Sequence, residues 1–164
     1  LVFLGMMGSG KSSIGFSVAK KLNLKFIDVD SVIEKEEGMK IADIFKDKGE
    51  IYFRLLEEKN TLKALNFNNS VISLGGGAFI NEKIRKKVLS NNFSFWLNWN
   101  AETLLKRIKK NKQRPVAFNS SDIELISLIK RRSKIYSKAQ IKVNCNNLTK
   151  NEIIKKILKI YELN

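Results

Sequence analysis

Short apolar runs alternating with helix-length amphipathic segments predict an open, parallel α/β sheet flanked by helices. Two observations carry this. LVFL, VISL and FSFWL read as short strands, and the segments between them space their apolar residues for helices. A glycine-rich turn also joins the first strand directly to the first helix, a connection typical of βα units.

The elements follow in order. Leu1 to Leu4 is the first strand, and the next helix carries Ile14, Val18 and Leu22. Phe26-Ile27 is a second strand entering DVD. A longer helical region turns at Gly38 and continues through Glu57 and Leu65. Val71 to Leu74 is the third strand, Phe93 to Leu97 the fourth and Ile141 to Val143 a weaker fifth. The last helix has Ile153, Ile154, Ile157, Leu158 and Tyr161 on one stripe, spaced to pack on a sheet. No repeat, low-complexity linker or composition break divides the chain, so residues 1–164 are expected to form a single domain.

The composition narrows the chemistry. Hydrophobic residues make up 43% and charged residues 29% of 164, a globular composition. No stretch approaches the ~20 apolar residues of a membrane span, and no signal-peptide pattern leads the chain, which begins abruptly on its first strand with a few native residues expected to precede it. A single cysteine, Cys145, excludes an internal disulfide and a cysteine-cluster metal site. The absence of histidine excludes histidine catalysis and the common zinc sites. A cytoplasmic location follows. The net charge of +15 would attract polyanions, nucleoside triphosphates included. Because it is spread along segments such as EKIRKK and EIIKKILK, solvated helix faces are expected, not specific nucleic-acid binding.

Gly5, Gly8, Gly10, Lys11 and Ser12 satisfy G-x-x-x-x-G-K-[ST] in full, between a strand and a helix. Glycines let such a loop curl its N–H groups toward phosphate oxygens, and the helix N-terminus adds partial positive charge. Lys11 can reach the outer phosphates of ATP, and the Ser12 hydroxyl can ligate Mg²⁺. Gly8, Ser9, Gly10, Lys11, Ser12 and Ser13 are therefore the expected phosphate-loop contacts.

Asp28 and Asp30 flank Val29 at the end of the second strand, where alternation would turn both carboxylates to one side. Strand carboxyl ends line the ligand crevice of such sheets. One carboxylate can hold the magnesium shell while the other takes a proton from an attacking hydroxyl; an acidic strand end can also simply cap the following helix. In GEIYFRLLEEK, Glu57 stands three after Arg54, either a surface ion pair or a device orienting the guanidinium toward a substrate carboxylate. Gly75 to Gly77 directly follow a strand, and three adjacent glycines suggest a close backbone approach. RIKKNKQRPVAFNSSD reads as a mobile loop in which Arg114 precedes the only proline; from local sequence alone an ordinary basic loop is the favoured reading, but a lid there can bring an arginine to the transferring group. KRRSKIY offers Arg131 and Arg132, between which local sequence does not choose.

The series GMMGSGKS, DVD, FRLLE, GGG, RP and an arginine four before a tyrosine resembles shikimate kinases, in that family's order and over almost the whole chain. GMKIADIF is similar to the family's substrate-domain helix, with Ile41 and Phe45 at apolar pocket positions. The resemblance implies a nucleoside-monophosphate-kinase-like P-loop fold with five parallel strands ordered 2-3-1-4-5. It implies a substrate-binding region over about residues 30–60 and a lid over about 111–121. It implies ATP- and Mg²⁺-dependent phosphorylation of the 3-hydroxyl of shikimate, a step toward aromatic amino acids. Lys11, Asp30 and Arg114 would then be catalytic, and Ser12, with Asp28 through water, would hold the metal. Asp30, Arg54, Gly75, Gly76, Gly77 and Arg132 would meet shikimate, the spacing to Tyr136 selecting Arg132. Arg107 would stack on adenine, and Arg114 would reach over the phosphates.

Three features depart from the family pattern. The lid reads RPVAFNSSD where Arg-Pro-Leu-Leu is usual, Lys134 stands where a proline is common, and VNCNNLTKNE lacks a match to the second adenine-contact loop. The nearest rival is a gluconate kinase or nucleotide kinase sharing the phosphate loop. Other classes are a nucleotide-gated nucleic-acid-binding module and a nucleotide-binding protein without catalysis. No long exposed apolar stripe demands a partner, so a monomer is expected.

Overall fold

A computed structural model of the chain describes residues 1–110 and 120–163. Strands β1 (Val2–Leu4), β2 (Lys25–Asp28), β3 (Ser70–Ser73), β4 (Ser94–Asn98) and β5 (Ile141–Asn144) form one sheet in the order β2-β3-β1-β4-β5. Every pairing is parallel. This is the expected fold class, strand order included. The helices are α1 (Lys11–Leu22), α2 (Val29–Glu37), α3 (Ile41–Ala64), α4 (Glu82–Asn91), α5 (Ala101–Lys110), α6 (Asp122–Tyr136) and α7 (Lys150–Glu162), with a 3₁₀ turn at Ala78–Ile80. Among the described residues no helix is long and apolar enough to cross a membrane.

The central strand β1 is buried at all three positions, which is why it reads as an unbroken apolar run. Helix α1 lies on β2 and β3, and Gly15 permits the approach: a Cβ there would stand 2.9 Å from the Phe26 ring. Ile153, Ile154 and Ile157 of α7 are buried, whereas Tyr161 is 36% exposed, so the packed stripe is narrower than the sequence suggests. Helices α6 and α7 both start with a capping box, Ser121 with Glu124 and Thr149 with Glu152.

Two local differences bear on the site. Strand β2 stops at Asp28, whose carboxylate caps α2 by accepting from the Ser31 N–H at 3.3 Å. Asp30 therefore sits in the first turn of α2, and strand alternation is not what orients it. Helix α3 is also broken at Gly49, whose φ of 81° is left-handed and interrupts the helical run between Lys48 and Glu50. Four strand ends then converge at one edge of the sheet: β1 runs into the phosphate loop, β2 into α2, β3 into Gly75–Gly77, and β4 into Trp99. Most of the expected lid, Arg114 with it, lies outside the described residues.

Candidate active site

The phosphate loop needs its glycines for two different reasons. Gly10 has φ 90° at the entrance to α1, a conformation L side chains rarely adopt, and a Cβ there would press on Ile14 at 3.3 Å. At Gly5 the constraint is also close approach, since a Cβ would meet the Leu97 carbonyl oxygen at 3.0 Å. Lys11 is buried, and its Nζ donates to Gly5 O at 3.0 Å and Met6 O at 3.1 Å, holding the ammonium against the loop backbone. Ser12 and Ser13 are exposed in the first turn of α1 beside it. Ser9 is placed differently from its neighbours. It is fully buried, its N–H donates to Met6 O, and its carbonyl accepts from Trp99 Nε1 at 2.9 Å. Its hydroxyl is buried without a partner, so Ser9 shapes the loop and presents no donor outward.

The second glycine run is a shelf on which charged side chains rest. A Cβ on Gly75 would fall 2.8 Å from Asp30 Oδ1 and closer still to Glu57 Oε1. One on Gly76 would meet the Met7 N of the phosphate loop at 3.3 Å and Arg132 Nη1 at 3.8 Å. One on Gly77 would run into the Arg54 guanidinium, 2.9 Å from Cζ. No side chain fits at any of the three without displacing a charged group or the phosphate loop. The close approach expected of these glycines is thus to the protein's own groups, side chains at Gly75 and Gly77 and the phosphate-loop backbone at Gly76.

Those side chains hold one another. Arg54 Nη1 donates to Glu57 Oε2 at 2.6 Å, while its Nε and Nη2 donate to Glu50 Oε1 at 3.1 and 2.9 Å. Phe53 and Phe45 lie beside the guanidinium, with centroids 5.2 and 5.8 Å from Cζ. The oriented ion pair expected of Arg54 and Glu57 is present; Glu50 is an additional partner that sequence reading missed, although its i,i+4 spacing to Arg54 was visible. Burial pushes the Glu57 carboxyl above its ordinary pKa of 4.5; Arg54 opposes this and the nearby Asp30 charge reinforces it. Burial works against the charge on Arg54, but Glu57 and Glu50 outweigh it and raise its pKa.

From α6, Arg132 Nη1 and the Tyr136 hydroxyl both donate to Gly76 O. The four-residue spacing between arginine and tyrosine therefore has a geometric meaning: one helix face brings both to one carbonyl. Burial pushes the Tyr136 pKa up to about 12, which keeps its hydroxyl a donor. Arg131 is exposed and Arg132 half-buried, and both line a cavity of about 530 Å³ together with Glu50, Arg54, Gly77 and Ile80. Lys134 is exposed, and α6 continues past it unbroken. On the far side of the phosphate loop, Arg107 lies with Cζ 3.7 Å from the centroid of the Trp99 ring. Trp99 carried no signal in the sequence; its contact with Ser9 spans 90 residues.

The site thus joins an anion-binding loop, through Met7, to a shelf bearing two guanidinium groups and two carboxylates. Fold and site together define a small-molecule kinase of the phosphate-loop class. The family model described as shikimate kinase matches residues 7–162, and the chain belongs to that family. A curated shikimate kinase from Persephonella marina is 39% identical over 158 residues, covering 96% of each chain. One from Sulfurihydrogenibium sp. is 40% identical over 159 residues, covering 96% of this chain and 95% of that one. A solved shikimate kinase from Acinetobacter baumannii, in complex with shikimate, matches with a TM-score of 0.91 at 28% identity over 98% of this chain and 90% of that one.

Proposed function

We propose that this chain transfers the terminal phosphoryl group of ATP to the 3-hydroxyl of shikimate, giving shikimate 3-phosphate and ADP on the route to aromatic amino acids. The observation that carries the reading is the contact between shelf and phosphate loop at Gly76 and Met7. An acceptor lying on the shelf is thereby adjacent to the bound phosphates, and phosphoryl transfer is chiefly a matter of positioning and charge neutralisation.

Each side chain then has a task. Arg54 and Arg132 hold the acceptor carboxylate, and Glu50 and Glu57 keep the Arg54 fork in one orientation. Asp30, above Gly75, hydrogen-bonds the acceptor hydroxyls and takes the proton of the reacting one. The hydroxyl oxygen bonds to the terminal phosphorus as the bond from that phosphorus to ADP breaks. Lys11 neutralises charge on the phosphates, Arg107 packs on the base, and the family likeness gives Arg114 the part of the lid arginine. Gly8, Ser9, Gly10, Ser12 and Ser13 complete the loop around the triphosphate.

Magnesium fits this donor set. Among the described residues no group of three or more Asp, Glu, His or Cys could cage an ion. Mg²⁺ held mostly by phosphate oxygens and water needs only one or two protein oxygens, however, and the Ser12 hydroxyl, with the Asp28 carboxylate through water, would supply them. When bound, the ion would offset charge on the outer phosphates. We further read the enzyme as a cytoplasmic monomer without specific nucleic-acid binding. Exposed lysines paired with acids, such as Lys83 with Glu58 and Lys86 with Glu82, fit a solvated surface.

Family membership favours shikimate over gluconate or a nucleotide as acceptor. The decisive assay is ADP release with Mg-ATP in the presence of shikimate, gluconate, a nucleoside monophosphate panel or no acceptor. Turnover with shikimate alone is expected. Stimulation by another acceptor and not by shikimate would overturn the assignment while leaving the phosphate loop intact.

A further inference from the structure

Trp99, immediately beyond β4, is 8% exposed and touches two parts of the nucleotide site at once. The edge of its indole donates from Nε1 to Ser9 O at 2.9 Å, and its face lies under the Arg107 guanidinium, 3.7 Å from centroid to Cζ. Helix α5 presses on the same loop, since a Cβ on Gly8 would meet Arg107 Cβ at 3.4 Å and Ile108 Cγ1 at 3.6 Å. Ser9 itself is buried, so the indole reaches the loop from its protein side and leaves the loop amides turned elsewhere.

We infer that Trp99 is a positioning residue for the nucleotide. It fixes the separation between the phosphate loop and the Arg107 guanidinium, so that the triphosphate and the base are bound in register. The inference rests on the reading of Arg107 as the group that packs on the base. An arginine side chain free in water must lose rotamer freedom when a ligand arrives. One already lying on an indole face has lost that freedom beforehand and keeps its other face for a purine. The hydrogen bond from the indole edge to Ser9 O sets the ring's orientation and hence the plane of the guanidinium.

The test compares Trp99→Phe, which keeps the face and loses the N–H, with Trp99→Leu, Arg107→Ala and the double variant Trp99→Leu/Arg107→Ala. Calorimetric Kd for ADP and steady-state KM for ATP and for shikimate are the readouts, with circular dichroism to establish folding. Arg107→Ala and Trp99→Leu are each expected to weaken ADP and ATP binding about 5- to 10-fold. The KM for shikimate should stay unchanged, Trp99→Phe should fall between Trp99→Leu and the parent, and the double variant should be no weaker than the weaker single one. Additive losses in the double variant, or Trp99→Leu matching the parent while Arg107→Ala weakens binding, would overturn the Trp99 role alone. Unchanged nucleotide binding in Arg107→Ala would overturn the Arg107 reading and the Trp99 role with it. If Trp99→Leu does not fold, Trp99→Phe decides: nucleotide binding weakened as far as in Arg107→Ala would sink the idea that the aromatic face is what positions Arg107.

Discussion

Adding one methyl group at Gly77 tests the acceptor site without replacing any charged residue. Gly77 has φ −100° and ψ −18°, so alanine is allowed there and backbone strain plays no part. The new Cβ would lie 2.9 Å from Arg54 Cζ and 3.2 Å from Nη2, well inside van der Waals contact. Clearing it means moving the guanidinium by on the order of 1 Å, enough to break a hydrogen bond. Arg54 is held at 2.6 Å by Glu57 and at 2.9 and 3.1 Å by Glu50, so at least one of these bonds is lost and the fork leaves its set orientation. A misoriented fork forfeits a charge-assisted hydrogen bond to the acceptor carboxylate, about 1.5–3 kcal/mol, so the KM for shikimate should rise about 10- to 150-fold. The KM for ATP should be unchanged. Arg54→Ala is the reference, because its KM for shikimate should rise at least as far. The same methyl group at Gly75 meets Asp30 Oδ1 at 2.8 Å and the Glu57 carboxylate instead, and should lower kcat more than it raises KM. Steady-state kinetics in both substrates, with a thermal melt to establish folding, separate these effects. A Gly77→Ala enzyme with the parent's KM for shikimate would refute the placement of the acceptor carboxylate at Arg54.

Two other substitutions address the carboxylates. Asp30→Asn keeps the side chain's shape but removes the base, so kcat should fall about 10²- to 10⁴-fold with little change in ADP affinity measured by calorimetry; parallel losses in both would count against a proton-accepting Asp30. Glu57→Gln tests the buried carboxyl through pH. Because burial raises the folded-state pKa of Glu57 above 4.5, the folded chain binds this proton more tightly than the unfolded chain. The contribution of Glu57 to stability is therefore largest below about pH 4.5 and declines as pH rises through its higher folded-state value. Relative to the parent, the Tm of Glu57→Gln should improve by about 3–5 °C between pH 4 and pH 7, for each tenfold change in proton affinity. The groups facing Glu57 are Arg54, Asp30 and Arg132, and a constant Tm difference across that range would mean that the two arginines hold it ionised throughout against burial and Asp30.

How far the sequence could be read depends on the range over which each feature is enforced. The phosphate loop is legible because backbone geometry dictates residue types within eight consecutive positions. The paired roles of Arg132 and Tyr136 are visible for a similar reason, since a four-residue spacing on a helix is a statement about one face. Strand order is different: periodicity locates strands but says nothing about which lie side by side, and that order was available only through family likeness. At DVD the two carboxylates could have been separated, because an aspartate at a strand end is also a good helix cap, and Asp28 performs that task while Asp30 starts the helix. The bend at Gly49 needed only the question of why a glycine stands inside a helical run.

The three shelf glycines mark the limit of local reading. Their adjacency says that something must come close, but their neighbours arrive from α2, α3, α6 and the phosphate loop, brought together only by the parallel sheet. Trp99 lies wholly beyond that limit, as nothing near it in sequence hints at Ser9 or Arg107. Chemistry with a strong local constraint, such as phosphate binding, is thus written in contiguous residues. The roles proposed for acceptor selection and nucleotide alignment fall instead on groups that meet only once the sheet has formed. On the proposed roles, that division explains why the residues assigned to the acceptor are spread from Asp30 to Arg132, while the phosphate-loop residues are contiguous from Gly5 to Ser13.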